Sequence, residues 1–102
     1  MPQTLGGYTV STFAQASAIF DAMNCSDAIN CLAGHLLAAQ LDVANGSSTC
    51  IAGTISDANA FLTSVGYAGP GSYTITAGQR AQAISLEQTL DSYTNDSTST
   101  SC

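Results

Sequence analysis

The chain has 102 residues, of which 45% are hydrophobic and 8% are charged, and its formal net charge is −6. This length fits one small domain, and the hydrophobic content excludes a disordered chain, which combines low hydrophobicity with high charge. Arg80 is the single strongly cationic side chain, which excludes nucleic-acid binding and docking on anionic lipid, because both need clustered Lys or Arg. No apolar run approaches the roughly 20 residues of a membrane-spanning helix, so we expect no membrane insertion.

The chain is predicted to begin with an extended segment and an amphipathic helix. Residues 5–10 form the extended lead-in, and residues 73–75 form a second extended segment that is able to pair with it. The first helix covers about residues 12–23 and starts with a capping box of Thr12 and Gln15. Apolar residues at three- and four-residue steps predict its buried face. They are Phe13, Ala16, Phe20 and Met23.

The second predicted helix is apolar on almost all sides. Ser26 supplies an N-cap side chain and Asp27 a negative charge at the positive end of the helix, while Asn45 and Gly46 suit a left-handed C-terminal cap. A helix of this kind is usually surrounded by other helices. We therefore predict that residues 27–44 lie at the centre of the fold.

Two further helices complete the predicted fold. The third starts near residue 48 or 49 and ends at Gly66, and the fourth starts with a capping box of Thr76 and Gln79. Gly34 and Gly53 fall inside helices, where glycine costs about 0.5–1 kcal/mol relative to alanine, so we expect close packing at both. The predicted fold class is all-α: a compact, disulfide-stapled bundle of about four helices around the central apolar helix. It forms a single domain over residues 1–102, with a polar Ser/Thr tail at about 95–102.

The chain contains four cysteines, Cys25, Cys31, Cys50 and Cys102. Their spacing matches no zinc-finger or zinc-ribbon pattern, and an even number in a short chain favours two disulfides formed in an oxidising compartment. We therefore predict a secreted protein, located extracellularly or at the cell surface. The first residues carry neither the charged nor the apolar part of a signal peptide, so we expect this sequence to be a mature fragment.

Four cysteines allow three pairings, and we predict Cys25–Cys31 together with Cys50–Cys102. Two helical residues six positions apart are about 9 Å apart along the axis, more than a disulfide spans, so Cys25 must curl back over the helix start. The second bond would close a loop of about 50 residues and stabilise the fold by roughly 4 kcal/mol on the chain-entropy account. The alternatives are Cys31–Cys50 with Cys25–Cys102, and a bond from Cys102 to a neighbouring chain.

The stretch Leu36-Leu-Ala-Ala-Gln-Leu-Asp-Val-Ala-Asn-Gly46 resembles Leu-Ile-Ala-Ala-Lys-Leu-Asn-Val-Ala-Asn-Gly, which recurs in a poorly characterised group of secreted bacterial proteins. Leu5-Gly-Gly-Tyr8-Thr9 and Leu90-Asp-Ser-Tyr-Thr-Asn95 extend the resemblance over most of the chain. The Gly-Tyr-Trp-Lys-Asn-His-Pro segment usual in that group is absent, Gly34-His35 stands where its members carry His-Gln, and Gln40 replaces their lysine. The resemblance implies an extracellular, helical, non-enzymatic module and carries over no catalytic residue.

His35 is the only side chain whose ordinary titration makes it a base near neutral pH. Cys31 precedes it by four residues and Asp42 follows by seven, so a catalytic interpretation would make His35 a base oriented by Asp42, or Cys31 a nucleophile. Because residues seven apart are about 10 Å apart along a helix, we favour a partly buried histidine hydrogen-bonded to a neighbour, with Cys31 in a disulfide. We predict no catalytic residue, no metal site and no cofactor.

The remaining ionisable side chains are interpreted as surface groups. The seven acids show no calcium-loop spacing and no pair that stands out as catalytic. Arg80 is expected to form a structural salt bridge, with Glu87, Asp57 or Asp91 as its partner.

These observations predict a non-enzymatic extracellular structural module, a self-assembling or surface-associated subunit of a filament or matrix. Its partner would be a second copy or another cell-surface protein, because a charge-poor surface lacks the repulsion that keeps monomers apart. The alternative is a small extracellular binding domain for carbohydrate or another neutral ligand. Tyr67 and Tyr73, which flank a Gly-Pro-Gly turn, are its candidate stacking platform, although tyrosines that simply cover the end of the bundle are favoured.

Overall fold

The computed structural model describes residues 2–94, which form four α-helices and a short β-hairpin. The hairpin strands are β1 (Gln3–Leu5) and β2 (Tyr8–Val10). The helices are α1 (Phe13–Asp21), α2 (Ala28–Ala44), α3 (Ala52–Ser64), which follows a 3₁₀ turn at Thr49–Ile51, and α4 (Ala77–Thr94). The predicted helical bundle is confirmed in this range, apart from the hairpin, whereas the predicted polar tail lies outside the described residues. No helix within residues 2–94 has the length and apolar character needed to cross a membrane.

Reciprocal capping boxes start α1 and α4, as predicted. The Thr12 hydroxyl accepts a hydrogen bond from the Gln15 backbone N–H at 3.1 Å, and the Gln15 carboxamide oxygen accepts from the Thr12 N–H at 3.0 Å. Thr76 and Gln79 form the same pair of bonds at 3.1 and 2.9 Å. Each box satisfies two N–H groups that have no carbonyl partner inside the helix, so each fixes where its helix begins.

The N-cap of α2 is Asp27 and not Ser26. One carboxylate oxygen of Asp27 accepts hydrogen bonds from the backbone N–H groups of Ile29 and Asn30, at 2.9 and 3.1 Å. A single side chain therefore provides both the cap and the negative charge that favours a helix start. The opposite end follows the prediction, because α2 stops just before Gly46, whose φ is 98°.

The central position of α2 is confirmed. Helices α1, α3 and α4 and strand β1 all pack against it. Its buried residues are Ala28, Ile29, Cys31, Leu32, Ala33, Gly34, Leu36, Leu37 and Ala39. No polar or charged residue between positions 2 and 94 is buried, so apolar contacts make up the core and the polar groups lie at its edges.

The structure corrects the predicted buried face of α1. Ala16 and Ile19 are buried, whereas Phe13 is 82% exposed and Phe20 is 37% exposed. The apolar side of the helix is wider than its contact with the core, and hydrophobic periodicity alone does not determine which part of it faces inward. Two phenylalanine side chains therefore remain at the surface.

The N-terminal segment pairs with itself, which corrects the expectation that it pairs with residues 73–75. Strands β1 and β2 are antiparallel, with Leu5 opposite Tyr8, and residues 73–75 form no strand. The connecting Gly6 has a φ of +60° and lies so close to α3 that an added Cβ would come 2.9 Å from the Thr63 nitrogen. A tight turn closes at a much lower entropic cost than pairing with a segment more than 60 residues away would require.

A group of side-chain amides, which sequence analysis missed, ties this hairpin to α2 and α3. Asn59 on α3 accepts from the Gly6 N–H at 2.8 Å and donates to the Gln40 carboxamide oxygen at 2.9 Å. Gln40 on α2 in turn donates to the Gln3 side chain at 3.0 Å and to the Thr4 carbonyl at 3.2 Å. Gln40 stands where the resembling bacterial segment has lysine, which has no acceptor and cannot receive the bond from Asn59.

The two helical glycines have different surroundings. A Cβ at Gly34 would lie 2.8 Å from the Met23 Cβ, so the predicted close packing is confirmed there, with a side chain as the neighbour. A Cβ at Gly53 would meet nothing within 4 Å, so the prediction is wrong at that position.

Candidate functional site

A disulfide lies at the start of α2. Cys25 belongs to the linker that precedes this helix, and Cys31 lies at the end of its first turn. The chain turns at the Asp27 cap, and the Cα atoms of the two cysteines are 4.7 Å apart, against about 9 Å for two helical residues at this spacing. The predicted Cys25–Cys31 bond is confirmed, and it excludes the alternative bond between Cys31 and Cys50.

The second predicted disulfide extends beyond the described residues. Cys102 lies outside residues 2–94, so the Cys50–Cys102 bond stays a prediction. Cys50 itself is not a free thiol.

His35 follows Cys31 by one helical turn and faces two acids of α4. Its Nε2 lies 3.2 Å from Oε1 of Glu87, and its Nδ1 lies 3.7 Å from Oδ1 of Asp91. The side chains of His35 and Glu87 are 13% and 16% exposed, whereas that of Asp91 is 45% exposed. Each ring nitrogen therefore has its own carboxylate, and the tight packing of α2 against α4 fixes the orientation of the imidazole.

The disulfide and the histidine belong to one cluster, which we call the α2–α4 cluster: Cys25, Cys31, His35 and Glu87. The Sγ atoms, one imidazole nitrogen and one carboxylate oxygen all lie within 4.8 Å of one another. A pocket of about 200 Å³ opens beside them, lined by Cys25, Ala28, Cys31, Ile84 and Glu87. The cluster thus combines two sulfurs, an imidazole and a carboxylate at a site that small solutes can reach.

The composition of this cluster differs from the arrangement considered from the sequence. The acids beside His35 are Glu87 and Asp91, and Asp42 forms no ion pair with it. As favoured from the sequence, His35 is half-buried against its neighbours and Cys31 is in a disulfide. The one available signal for the acids is their spacing of four residues, which places Glu87 and Asp91 on one face of α4.

Arg80 has no part in this cluster. Its predicted salt bridge with Glu87, Asp57 or Asp91 does not form within residues 2–94, where both ion pairs involve His35. Arg80 lies in the first turn of α4 and is exposed. Glu87 is instead directed toward α2, where the histidine is its partner.

The tyrosines proposed as a ligand platform pack against each other. Tyr67 is 5% exposed, and its ring stacks on Tyr73 at 5.6 Å and meets the edge of Tyr8 at 5.8 Å. The Tyr73 hydroxyl donates to the Gly69 carbonyl at 2.5 Å, which holds the turn in place. Burial, with smaller contributions from Tyr73 and Tyr8, raises the pKa of Tyr67 well above its ordinary value. Only Tyr73 of the proposed pair retains partial exposure.

Comparison with protein-family models, curated proteins and solved structures gives no match for this chain. The resemblance to secreted bacterial proteins therefore stays a prediction.

Proposed function

We propose that this chain is a non-enzymatic extracellular structural module that associates with a second copy of itself. The observation that carries the proposal is the exposed apolar face of α1, which consists of Phe13 and Phe20. These residues are 82% and 37% exposed, although the neighbouring residues Ala16 and Ile19 of the same helix are already buried in the core. An apolar surface that continues beyond the contact with the core generally marks an interaction site.

The geometry of this face suits a helix-to-helix contact. Phe13 and Phe20 are seven residues apart, so they lie on one side of α1 and about 10 Å apart along its axis. Asp21 is the only charged residue in α1. A second copy is the occupant we favour, because a face without charges needs no complementary charge from its partner, and this chain offers the same apolar surface itself.

The free energy gained by burying this face is large enough to have a measurable effect on association. Full burial of a phenylalanine side chain contributes about 1.5–3 kcal/mol. A symmetric dimer would bury Phe13 twice, together with the 37% of Phe20 that is still exposed in each copy. Because each 1.4 kcal/mol corresponds to about a tenfold change in affinity, loss of one phenylalanine should weaken association by tenfold or more.

The disulfide supports the extracellular part of the proposal. Bonds such as Cys25–Cys31 form and persist in oxidising compartments and are rare in the cytosol. The other candidate, a small binding domain for carbohydrate or a neutral ligand, has less support. That candidate requires Tyr67 and Tyr73 as an accessible stacking platform, but the Tyr67 ring is buried between Tyr73 and Tyr8.

Sedimentation of the oxidised chain over a wide concentration range tests the proposal. We expect reversible self-association, weakened at least tenfold in Phe13→Ser and further in the double variant with Phe20→Ser. Ile84→Ser is the matched control, because Ile84 is 40% exposed but lies on α4. A wild-type chain that stays monomeric throughout, or an Ile84→Ser variant as impaired as Phe13→Ser, would contradict the proposal.

A further inference from the structure

The α2–α4 cluster brings together the donor atoms that a borderline-soft metal ion prefers. Cys25 and Cys31 offer sulfur, His35 offers an imidazole nitrogen and Glu87 a carboxylate oxygen, all within 4.8 Å of one another. Thiolates, imidazole and carboxylate are the ligands that bind Zn²⁺ in four-coordinate sites. We propose that, once the Cys25–Cys31 disulfide is reduced, these four side chains bind one Zn²⁺ ion.

The spacing of the donors is close to what a tetrahedral ion requires. Zinc bonds of about 2.3 Å to sulfur and about 2.0–2.2 Å to nitrogen or oxygen place nitrogen and oxygen ligands about 3.4 Å apart. His35 Nε2 and Glu87 Oε1 are 3.2 Å apart, so this pair needs almost no movement. Two sulfur ligands lie about 3.8 Å apart, a separation that becomes available when their covalent bond is broken.

The surroundings of His35 also suit a metal ligand. A zinc-bound imidazole generally directs its second nitrogen at a carboxylate or carbonyl, which fixes the ring and its tautomer. Here Nε2 faces Glu87 at 3.2 Å, while Nδ1 faces Asp91 at 3.7 Å. Asp91 therefore acts as a positioning residue for His35. The pocket of about 200 Å³, lined by Cys25, Cys31 and Glu87, gives the ion a route to the site.

Reduction controls access to this site. A dithiol reductant transfers two electrons and two protons to the disulfide, which yields two thiols and leaves the reductant as its own disulfide. Binding of Zn²⁺ then displaces the two thiol protons, because the metal binds thiolates. A disulfide oxidant reverses the sequence, since it reforms the Cys25–Cys31 bond and releases the ion. In an oxidising compartment the disulfide form therefore predominates, and metal binding is confined to reducing conditions.

Cobalt and zinc titrations of the full chain test the inference. We suggest the background Cys50→Ser with Cys102→Ser, in which Cys25 and Cys31 are the only thiols after reduction. The reduced chain should bind one Co²⁺ with the visible bands of a tetrahedral site and the near-ultraviolet thiolate-to-cobalt band, and Zn²⁺ should displace it. The oxidised chain should give neither spectrum.

Variants at the two non-sulfur ligands identify the site. Glu87→Gln and His35→Asn should each weaken Zn²⁺ binding by about tenfold or more, in competition with a chromophoric chelator. Asp42→Asn is the matched control on α2 and should stay within about twofold of the parent chain, since Asp42 lies outside the cluster. Helical circular dichroism of each oxidised variant shows whether it folds. Asp91→Asn retains all four ligands, so we expect it to lose less Zn²⁺ affinity than Glu87→Gln or His35→Asn.

The inference is overturned if the reduced chain binds Co²⁺ without a thiolate band. It is equally overturned if folded Glu87→Gln and His35→Asn variants bind Zn²⁺ as tightly as the parent, or if reduction abolishes the helical signal and Zn²⁺ does not restore it. None of these results depends on self-association through α1, which a separate measurement tests.

Discussion

The two glycines inside helices provide a matched pair of substitutions for which we expect opposite effects on stability. In Gly34→Ala the new Cβ would lie 2.5 Å from the Met23 Cγ and 2.8 Å from its Cβ. The end of the Met23 side chain can rotate away, but its Cβ is fixed to the linker backbone, so the linker must shift. In Gly53→Ala the new Cβ meets nothing within 4 Å.

Both changes gain about 0.5–1 kcal/mol in the free energy of unfolding, because alanine loses less backbone freedom in a helix than glycine. Overpacking of a filled site costs about 1–3 kcal/mol, and it applies only at Gly34. We therefore expect Gly53→Ala to be stabilised by about 0.5–1 kcal/mol and Gly34→Ala to be destabilised by about 1 kcal/mol. Because the helix-propensity gain is common to both, the difference of about 2 kcal/mol mainly measures the contact with Met23.

Urea unfolding of the oxidised chain, followed by circular dichroism, measures both free energies of unfolding. A second substitution, Met23→Ala, should cost less in the Gly34→Ala background than in the wild type, because there it also relieves the overpacking. Equal stability of Gly34→Ala and Gly53→Ala would refute the reasoning, and so would a stabilised Gly34→Ala.

Three further outcomes are expected. Gln40→Ala should lower the free energy of unfolding by about 1–3 kcal/mol and speed amide exchange in the hairpin, because Asn59 loses its acceptor; unchanged exchange would contradict the amide link. Because burial raises the pKa of Tyr67, the folded state keeps the proton that the unfolded chain loses near pH 10, so stability should fall as pH rises above about 10. Titration of tyrosine absorbance in the wild type and in Tyr67→Phe measures the pKa of Tyr67. An alkaline loss of stability that is unchanged in Tyr67→Phe would contradict the prediction. Non-reducing peptide mapping should yield a Cys50–Cys102 peptide, and an interchain link would instead indicate covalent assembly.

Local sequence signals determined where most helices start and stop. The reciprocal pairs Thr12 with Gln15 and Thr76 with Gln79 each satisfy N–H groups within three residues, so no distant part of the chain is needed to recognise them. The Cys25–Cys31 bond was predictable for the same reason, since the cap at the start of α2 turns the chain back. The nearly continuous apolar character of α2 identified the central helix, because such a helix has no polar face to expose to solvent.

The tertiary structure alone decided which surfaces and side chains meet. Periodicity identified the apolar side of α1 but not that Ile19 faces inward while Phe13 faces out, because the packing of the whole helix selects which part of a wide apolar side meets the core. Similarly, His35 follows Cys31 by only four residues, but Glu87 reaches it only because α4 packs along α2. Contacts between residues about 50 positions apart depend on the relative placement of two helices, which neither helix encodes by itself. The α2–α4 cluster is therefore a property of the fold, although each of its four side chains is visible in the sequence.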